Sequence, residues 1–512
     1  MRRDSISEVD RFKPVPNPFG YILTRDFVLT ISGLWLPLPH GGRVVVSNLG
    51  GTLLQSSLES QSDIDLAKRA LRIHIDHYGG KRLPYMCVSA TGLHQQFVRL
   101  EGPDTGSELR VMDASGGYAS ACLGAGHPEI VKAATHSLQN DGYVTDEIAS
   151  RVRSDLLTSL FDEGGHWYDR FPAGKYHVSG RSSGSEGVEL ALRLAMETRW
   201  DLRRMCWNND RRQRRLIVAF EGAWHGWTSV GVSLLNRMYF RRGLVDPIAE
   251  DLNSVQVVFL PFGQSAVLEE FFKNNQENVL AVIVEPIQGD AGIVVPPNGF
   301  LRKLAELCRI HEALLIADEV LTFAKTGDFF ALQDDVPVCS DITVIGKSLG
   351  FGVSPISMVI ARRELTIRPI GAVATCDLRP FACAVVKAGI DCLVKQGLLQ
   401  RSRILGERLT KQMTALVRAF PKVFSHARGR GYLQGLELTK EAANCARDLR
   451  LSILEHGALV EIMSGAGLRS HGLPYSFPAI RVAPPLIADD DDIKEIGKCI
   501  WAGVQAFVNE AK

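Results

Sequence analysis

The sequence predicts an α/β fold: a large, mostly parallel sheet with helices on both faces, plus a smaller α+β domain. Six short apolar runs have the composition of buried strands, and helical patterns separate several of them. These runs span residues 216–220, 255–261, 279–286, 314–317, 342–345 and 358–361. After Pro380 the periodicity becomes helical, with one hairpin-like strand at 435–438, which indicates the smaller domain.

The composition is that of a folded protein with a large core. The chain has 512 residues, of which 46% are hydrophobic and 22% are charged, and its formal net charge is +1. A near-neutral charge gives no general attraction to nucleic acid or to an anionic membrane. Residues 201–215 contain six arginines, but the stretch is short, and an exposed connection explains it better than a nucleic-acid site. We therefore expect neither nucleic acid nor a membrane as a partner.

The ten cysteines are scattered and include no Cys-x-x-Cys pair. Their spacing matches neither a zinc site nor a small disulfide framework, so we expect no metal, and reduced thiols in a cytoplasmic protein. Near the amino terminus, the apolar run 27–39 is too short to span a bilayer, and acidic residues precede it, unlike in a signal peptide. We expect an arm that packs on the body or on a second subunit.

Three parts are expected along the chain. Residues 1–110 form the arm and part of the small domain, residues 111–379 form the large domain, and residues 380–512 form the C-terminal small domain. Within the first part, the spacing of apolar residues at 61–78 predicts an amphipathic helix.

The most informative stretch carries two charged residues at the ends of neighbouring predicted strands. The run 314–317 ends on Asp318, and the run 342–345 continues through Gly346 into Lys347. Open α/β sheets hold their ligands at the carboxyl ends of the strands. Taken singly, such an acid usually caps a helix and such a lysine usually lies at the surface. Together they suit pyridoxal phosphate, because a lysine condenses with the cofactor aldehyde and a carboxylate keeps the pyridine nitrogen protonated.

Two other stretches are compatible with this chemistry. Ser183, Gly184 and Ser185 stand at the start of a predicted helix, where amides and a hydroxyl bind phosphate, although a helix cap explains the serines equally well. Trp224 and Trp227 follow the run 216–220 and would lie either on a cofactor ring or in the core, which is the default for tryptophan.

From Val111 to the end, the order of these blocks resembles the class III pyridoxal-phosphate aminotransferases of fold type I. This group includes ornithine, 4-aminobutyrate and amine:pyruvate aminotransferases and glutamate-1-semialdehyde aminomutase. The matching blocks are SSGSEG, AWHG, VEPIQGDAG, DEV, GKSLG, ATCDLRP and IRVAPPL. The resemblance implies pyridoxal 5′-phosphate as the cofactor and a homodimer with shared active sites.

The resemblance also implies roles for residues at the cofactor. Lys347 matches the lysine that forms the Schiff base, and Asp318 matches the partner of the ring nitrogen. Ser183, Gly184 and Ser185 match the phosphate cup.

Four more positions acquire a role in the same way. Trp224 matches an aromatic residue stacked on the ring, and Glu285 matches an acid beside the ring edge. Thr375 matches a threonine that reaches the phosphate of the neighbouring subunit. Arg481 matches an arginine that binds a substrate carboxylate through two hydrogen bonds.

Departures from the family pattern concern the substrate. Trp227 replaces an arginine that binds a carboxylate in the ornithine and 4-aminobutyrate enzymes, so we expect an apolar pocket. Asp290 is one methylene shorter than the usual glutamate, and we hypothesise that it pairs with Arg481 unless a substrate carboxylate is present. Leu321 replaces a polar residue near the cofactor's phenolic oxygen, and Phe351 interrupts the glycines after the lysine.

These observations predict ping-pong transamination from an amino acid donor to an aldehyde or ketone with an apolar or aromatic body, in a specialised pathway. An aminomutase, racemase or decarboxylase would carry the same Asp318 and Lys347. A non-catalytic pyridoxal-phosphate-binding protein is a more distant alternative. Nucleotide binding is disfavoured, because no GxGxxG or P-loop pattern follows a strand.

Overall fold

The computed structural model describes residues 61–76, 82–145, 147–236, 255–334, 336–366, 372–465 and 477–510. The expected arm at 27–39 lies outside the described residues. The helices, numbered in chain order, are α1 Gln61–Ile73, α2 Gly116–Ala119, α3 Pro128–Asn140, α4 Arg151–Phe161, α5 Gly184–Glu197, α6 Ser229–Ser233, α7 Ser265–Asn274, α8 Phe300–Ile310, α9 Pro380–Lys395, α10 Leu398–Ala419, α11 Lys440–Ala443, α12 Ala446–Glu455 and α13 Asp490–Glu510.

The strands are β1 Tyr85–Thr91, β2 His94–Arg99, β3 Glu108–Asp113, β4 Tyr176–Arg181, β5 Trp200–Asp201, β6 Cys206–Trp207, β7 Leu216–Phe220, β8 Gln256–Leu260, β9 Val279–Val284, β10 Leu314–Asp318, β11 Ile342–Ile345, β12 Ser357–Arg362, β13 Phe424–Arg430, β14 Leu433–Leu438, β15 Ala458–Leu459, β16 Glu461–Met463 and β17 Ala479–Val482. All six apolar runs expected to be strands lie in this set. The helix predicted at 61–78 is α1, and it ends five residues earlier.

The largest sheet has seven strands in the order β4-β12-β11-β10-β9-β7-β8. Strands β7 to β11 pair in parallel with their neighbours, whereas β12 runs antiparallel to both β11 and β4. The α/β fold class is therefore confirmed, with one reversed strand near an edge. Because β4 runs in the same direction as β11, its carboxyl end lies at the same edge as the others.

Helices on both faces explain why the central strand β9 is apolar at every position. Ala281 and Ile283 of β9 belong to a core cluster that includes Val188 and Leu192 of α5. Val282 and Val284, which alternate with them, belong to a second cluster, which includes Leu304 of α8. Since successive side chains point to opposite faces, a strand covered on both sides has no polar face.

Two smaller sheets are built from the two ends of the described chain. One has the order β1-β2-β3-β15, so that residues 458–459 pair in parallel with β3 near the amino terminus. The other has the order β13-β14-β17-β16 and contains the hairpin-like strand expected at 435–438. The sequence pattern gave no signal for β15 and β16, because two or three residues are too short to show a period.

The turn after β11 is fixed by a close contact with α9. Phe351 has φ +50° and is buried, and a Cβ built on Gly389 would lie 2.2–2.3 Å from its ring. We expect Gly389→Ala to lower the free energy of unfolding by about 1–3 kcal/mol, because the methyl group has no room. The measurement is urea unfolding of the purified protein.

The control for this prediction is the same change in a Phe351→Ala background. Without the Phe351 ring, Gly389→Ala should raise the free energy of unfolding by about 0.5–1 kcal/mol, because alanine is favoured over glycine inside a helix. An equal loss of stability in both backgrounds would contradict the contact.

Candidate active site

A cavity of about 500 Å³ opens at the carboxyl ends of the central strands. Nine of the residues singled out from the sequence line it, namely Gly184, Ser185, Trp224, Glu285, Asp290, Asp318, Leu321, Lys347 and Arg481. Within the described part of the chain, the cavity wall does not include Ser183, Trp227 or Thr375. Most of the expected site is therefore brought together in one place by one edge of the sheet and by β17.

Lys347 begins a 3-10 turn directly after β11 and has φ +42°, in the left-handed region that lysine rarely adopts. Burial lowers the pKa of its amine to about 8, and the positive charge of Arg481 acts in the same direction. Glu285, Asp318 and Asp290 oppose this shift by attraction. A substantial fraction of this amine is therefore neutral near pH 8 and able to act as a nucleophile or base.

Asp318, the last residue of β10, is buried and held by two hydrogen-bond donors. One oxygen lies 2.8 Å from Nδ1 of His225, and the other accepts from the backbone N–H of Val320 at 3.1 Å. The carboxylate can only accept, so we assign the proton to Nδ1 of His225. Nε2 of the same ring is buried and has no hydrogen-bond partner within the described structure. His225 was missed from the sequence, although it stands in the AWHG block.

Glu285 follows β9 and is also buried. Its two oxygens accept from the backbone N–H groups of Trp224 at 2.8 Å and Gly289 at 3.0 Å. Burial raises the pKa of its carboxyl to about 7, and repulsion from Asp318 adds to the effect. The site thus contains a carboxyl group that changes charge near neutral pH.

Trp224 and Trp227 stack on each other. Their ring centroids are 5.7 Å apart and the ring planes differ by 4°. Trp224 lines the cavity, whereas Trp227 is half exposed and supports the Trp224 ring. Any effect of Trp227 on a molecule in the cavity is therefore transmitted through its neighbour.

The expected phosphate cup begins with a helix cap. Ser183 Oγ accepts from the backbone N–H of Glu186, and the Glu186 carboxylate accepts from the backbone of Ser182 and Ser183. This capping box uses the first serine for the helix itself. Gly184 and Ser185 come next and face the cavity. Both interpretations left open by the sequence are compatible with this geometry.

Thr375 lies in an exposed turn away from the cavity of its own chain. Asp377 anchors this turn to β4, because its carboxylate accepts from Ser179 Oγ at 2.8 Å and from the backbone N–H of Gly180. Its function in a neighbouring subunit stays a prediction.

Arg481 on β17 has a partner that the sequence did not reveal. Its guanidinium forms a buried ion pair with Glu461 of β16. Asp290, the expected partner, accepts a hydrogen bond from Ser464 at 3.0 Å and lies close enough for its charge to act on Arg481. Burial lowers the pKa of Arg481 to about 10, which leaves it positively charged at neutral pH. An isolated acid in the apolar run ALVEIM was the available signal.

A family model for class III aminotransferases matches residues 104–502. The chain belongs to this family. Among curated relatives, an ornithine aminotransferase of Arabidopsis thaliana is 31% identical over 75% of each chain. Ornithine aminotransferase 2 of Staphylococcus aureus is 31% identical over 82% of this chain and 94% of its own length.

Solved structures agree in fold. An ornithine aminotransferase from Toxoplasma gondii is similar with a TM-score of 0.70 and 24% identity, over 89% of this chain and 96% of that one. A transaminase from Virgibacillus has a TM-score of 0.72 and 18% identity, over 88% of this chain and all of that one. The class III recognition made from the sequence is confirmed by the family model and the curated relatives.

The cofactor of this family, pyridoxal 5′-phosphate, fits the residues present. A partly neutral amine, a buried carboxylate and an aromatic ring line one cavity. The backbone also approaches closely: a Cβ on Gly226 would lie 2.4 Å from Ser185 Oγ, and one on Gly184 would lie 2.6 Å from Val320. Among the described residues, no acid, histidine and cysteine cluster suits a metal, and no helix is long and apolar enough to cross a membrane.

The raised pKa of Glu285 predicts a pH-dependent effect on stability. The carboxyl has a folded pKa of about 7 and an ordinary value of 4.5, so the folded state binds the proton more tightly. Its contribution is complete below pH 4.5 and declines as the pH rises through 7. Relative to Glu285→Gln, the wild type should lose about 3 kcal/mol between pH 4.5 and 7.

The measurement is urea unfolding of both proteins, freed of cofactor, across this pH range. Glu277→Gln serves as a control at an exposed glutamate. A constant difference between wild type and Glu285→Gln over the whole range would refute the assigned shift.

Proposed function

We propose that this class III aminotransferase moves an amino group from an amino acid donor to an aldehyde or ketone with an apolar or aromatic body. The observation that carries the proposal is the cavity that holds Lys347, Asp318, Arg481 and Trp224 together. Its wall supplies a base, an anchoring acid, a carboxylate-binding cation and an aromatic face. We further propose a specialised pathway for the reaction.

Bound pyridoxal phosphate supplies an aldehyde that takes up the amino nitrogen and a ring that accepts electrons from the reacting carbon. Lys347 Nζ would hold the cofactor through its aldehyde and, once the donor amine has taken its place there, would act as the base that takes the proton from the donor α-carbon and as the acid that gives it up again. A pKa of about 8 suits this transfer, because the amine is available in both protonation states near neutral pH. Asp318, oriented by His225, would hold the pyridine nitrogen of the bound cofactor in its protonated form.

Arg481 binds the carboxylate of the amino acid donor and releases it with the keto acid. The acceptor then occupies the same cavity, where Trp224, Leu321, Ile462 and Met463 offer apolar surface. Trp227 stands where the ornithine and 4-aminobutyrate enzymes of the family have a carboxylate-binding arginine. We therefore infer that this protein uses a different acceptor from the one that those enzymes use. The relatives reported above are named as ornithine aminotransferases, and the inferred difference concerns the substrate alone.

A homodimer with shared active sites is part of the proposal. Thr375 is exposed on a turn that Asp377 and Arg181 tie to β4, beside the start of α5. Such an anchored turn is suited to contact the cofactor phosphate that a second copy of the chain binds. The ten cysteines are free thiols, which suits the reducing cytoplasm in which we place the protein.

The experiment that tests the proposal is a screen of carbonyl acceptors with an amino acid donor. Keto acid and new amine should appear in equal amounts, without carbon dioxide. Carbon dioxide release, or rearrangement of a single substrate, would instead indicate a decarboxylase, racemase or aminomutase. Absence of any change in the visible cofactor spectrum on adding amino donors would contradict catalysis altogether.

Replacing Lys347 with alanine should abolish turnover, by a factor of at least about 10³, while some cofactor remains bound. The reason is that the transferring base is lost but the other contacts remain. Turnover and bound cofactor are measured on the same preparation, with Lys494→Ala, at an exposed lysine, as control. Full activity of the Lys347 variant would overturn the assignment.

Replacing Trp227 with alanine should raise the KM for an aromatic aldehyde by roughly 2- to 10-fold, since the stacking that supports Trp224 is worth about 0.5–1.5 kcal/mol. The KM for a small aliphatic aldehyde should change little. The control Trp227→Phe should leave the KM for the aromatic aldehyde close to that of the wild type, because its ring can still stack on Trp224. An equal rise with both aldehydes would point to a general loss of structure instead.

A further inference from the structure

The ion pair between Arg481 and Glu461 joins a residue of the cavity wall to a buried acid that is not part of the wall as described. Glu461 of β16 and Arg481 of β17 are direct cross-strand partners, and each side chain is only 4% exposed. Arg481 lines the cavity, as do Ile462 and Met463, which follow Glu461 on the same strand. The Arg481 guanidinium at the cavity is thus already paired with the Glu461 carboxylate.

Burial makes this arrangement consequential. A buried guanidinium that loses its directly bonded counter-charge is strongly disfavoured, whereas one with a fixed partner is tolerated. In the part of the chain that the structure describes, the buried Nε of Arg481 has no hydrogen-bond acceptor, so the guanidinium retains a donor for a second acceptor. Glu461 therefore accepts from one nitrogen of the Arg481 guanidinium and leaves another nitrogen to donate to a ligand.

We propose that Glu461 is the residue that allows one cavity to accept both a carboxylate-bearing substrate and an uncharged one. This inference rests on the proposed function and extends it by naming the determinant of dual specificity. When an uncharged aldehyde or ketone occupies the site, Glu461 keeps Arg481 neutralised. When an amino or keto acid enters, its carboxylate binds the remaining donors against the opposing charge of Glu461.

Glu461 is better placed for this role than Asp290. Its position is fixed by the strand register, in which Glu461 and Arg481 face each other. Asp290 lies on the loop after β9, where it accepts from Ser464 Oγ, and it acts on Arg481 through its charge. Glu461 is therefore a permanent counter-ion, and no loop movement is needed to change between substrates.

The test compares two acceptors with the same body, phenylpyruvate with a carboxylate and phenylacetaldehyde without one. In Glu461→Gln the ratio of kcat/KM for phenylpyruvate to that for phenylacetaldehyde should rise roughly tenfold, because close charge pairs are coupled by at least this much. Glu455→Gln removes the acid from the Arg99–Glu455 pair, away from the cavity, and should leave the ratio unchanged. An unchanged or lower ratio in Glu461→Gln would overturn the proposal.

A binding measurement separates this proposal from the proposed function. Phenylacetate carries the carboxylate but cannot react, and its binding is followed by tryptophan fluorescence of the holoenzyme and of the cofactor-free protein. Glu461→Gln should bind it roughly tenfold more tightly than the wild type. If Glu461→Gln binds phenylacetate more tightly but the wild type catalyses no transamination, only the proposed function is refuted. If phenylacetate binding is unchanged in Glu461→Gln, the role of Glu461 is refuted.

A shorter acid guards against failure of the glutamine variant to fold. Glu461→Asp keeps the charge but draws it back from the guanidinium, so phenylacetate binding should tighten by a smaller factor in the same direction. Weaker binding in a folded aspartate variant would contradict the proposal.

Discussion

The structure depends on the withdrawal of charged groups from water around one cavity. Lys347, Glu285 and Arg481 all have pKa values shifted mainly by burial, and each shift moves the group towards its neutral form. Parallel strands covered by helices on both faces make this possible, because their carboxyl ends carry polar residues directly out of an apolar core. The surrounding charges then balance one another over short distances. This balance brings the pKa values of Lys347 and Glu285 close to neutral pH.

The sequence was sufficient for the framework of this arrangement. Runs such as 314–317 and 342–345 are strands as predicted, and Asp318 and Lys347 line the same cavity. They could be predicted because a buried parallel strand is apolar throughout and a polar residue after it marks its end. A helix cap at Ser183 was one of two interpretations left open by the sequence, and the capping box of Ser183 and Glu186 forms that cap, although the local pattern alone could not separate a cap from a phosphate cup.

The remainder depended on contacts between distant parts of the chain. His225 meets Asp318 across 93 positions, and no local pattern encodes that distance. Glu461 meets Arg481 only because β16 and β17 pair in one register, and three residues of β16 are too few to predict it. Trp227 was expected at the substrate, but its ring stacks behind Trp224. Each contact is determined by tertiary packing, which overrides local preference.

The sheet β1-β2-β3-β15 has a consequence for the order of folding. Its strand β3 ends at Asp113, but its last partner begins at Ala458, after the whole large sheet has been synthesised. Closing a loop of that length is entropically slow, and it cannot precede translation of the C-terminal part. An unpaired edge of β3 is therefore presented by the nascent chain until late in synthesis, which is the interval when chaperone binding or misassociation competes with completion of the fold.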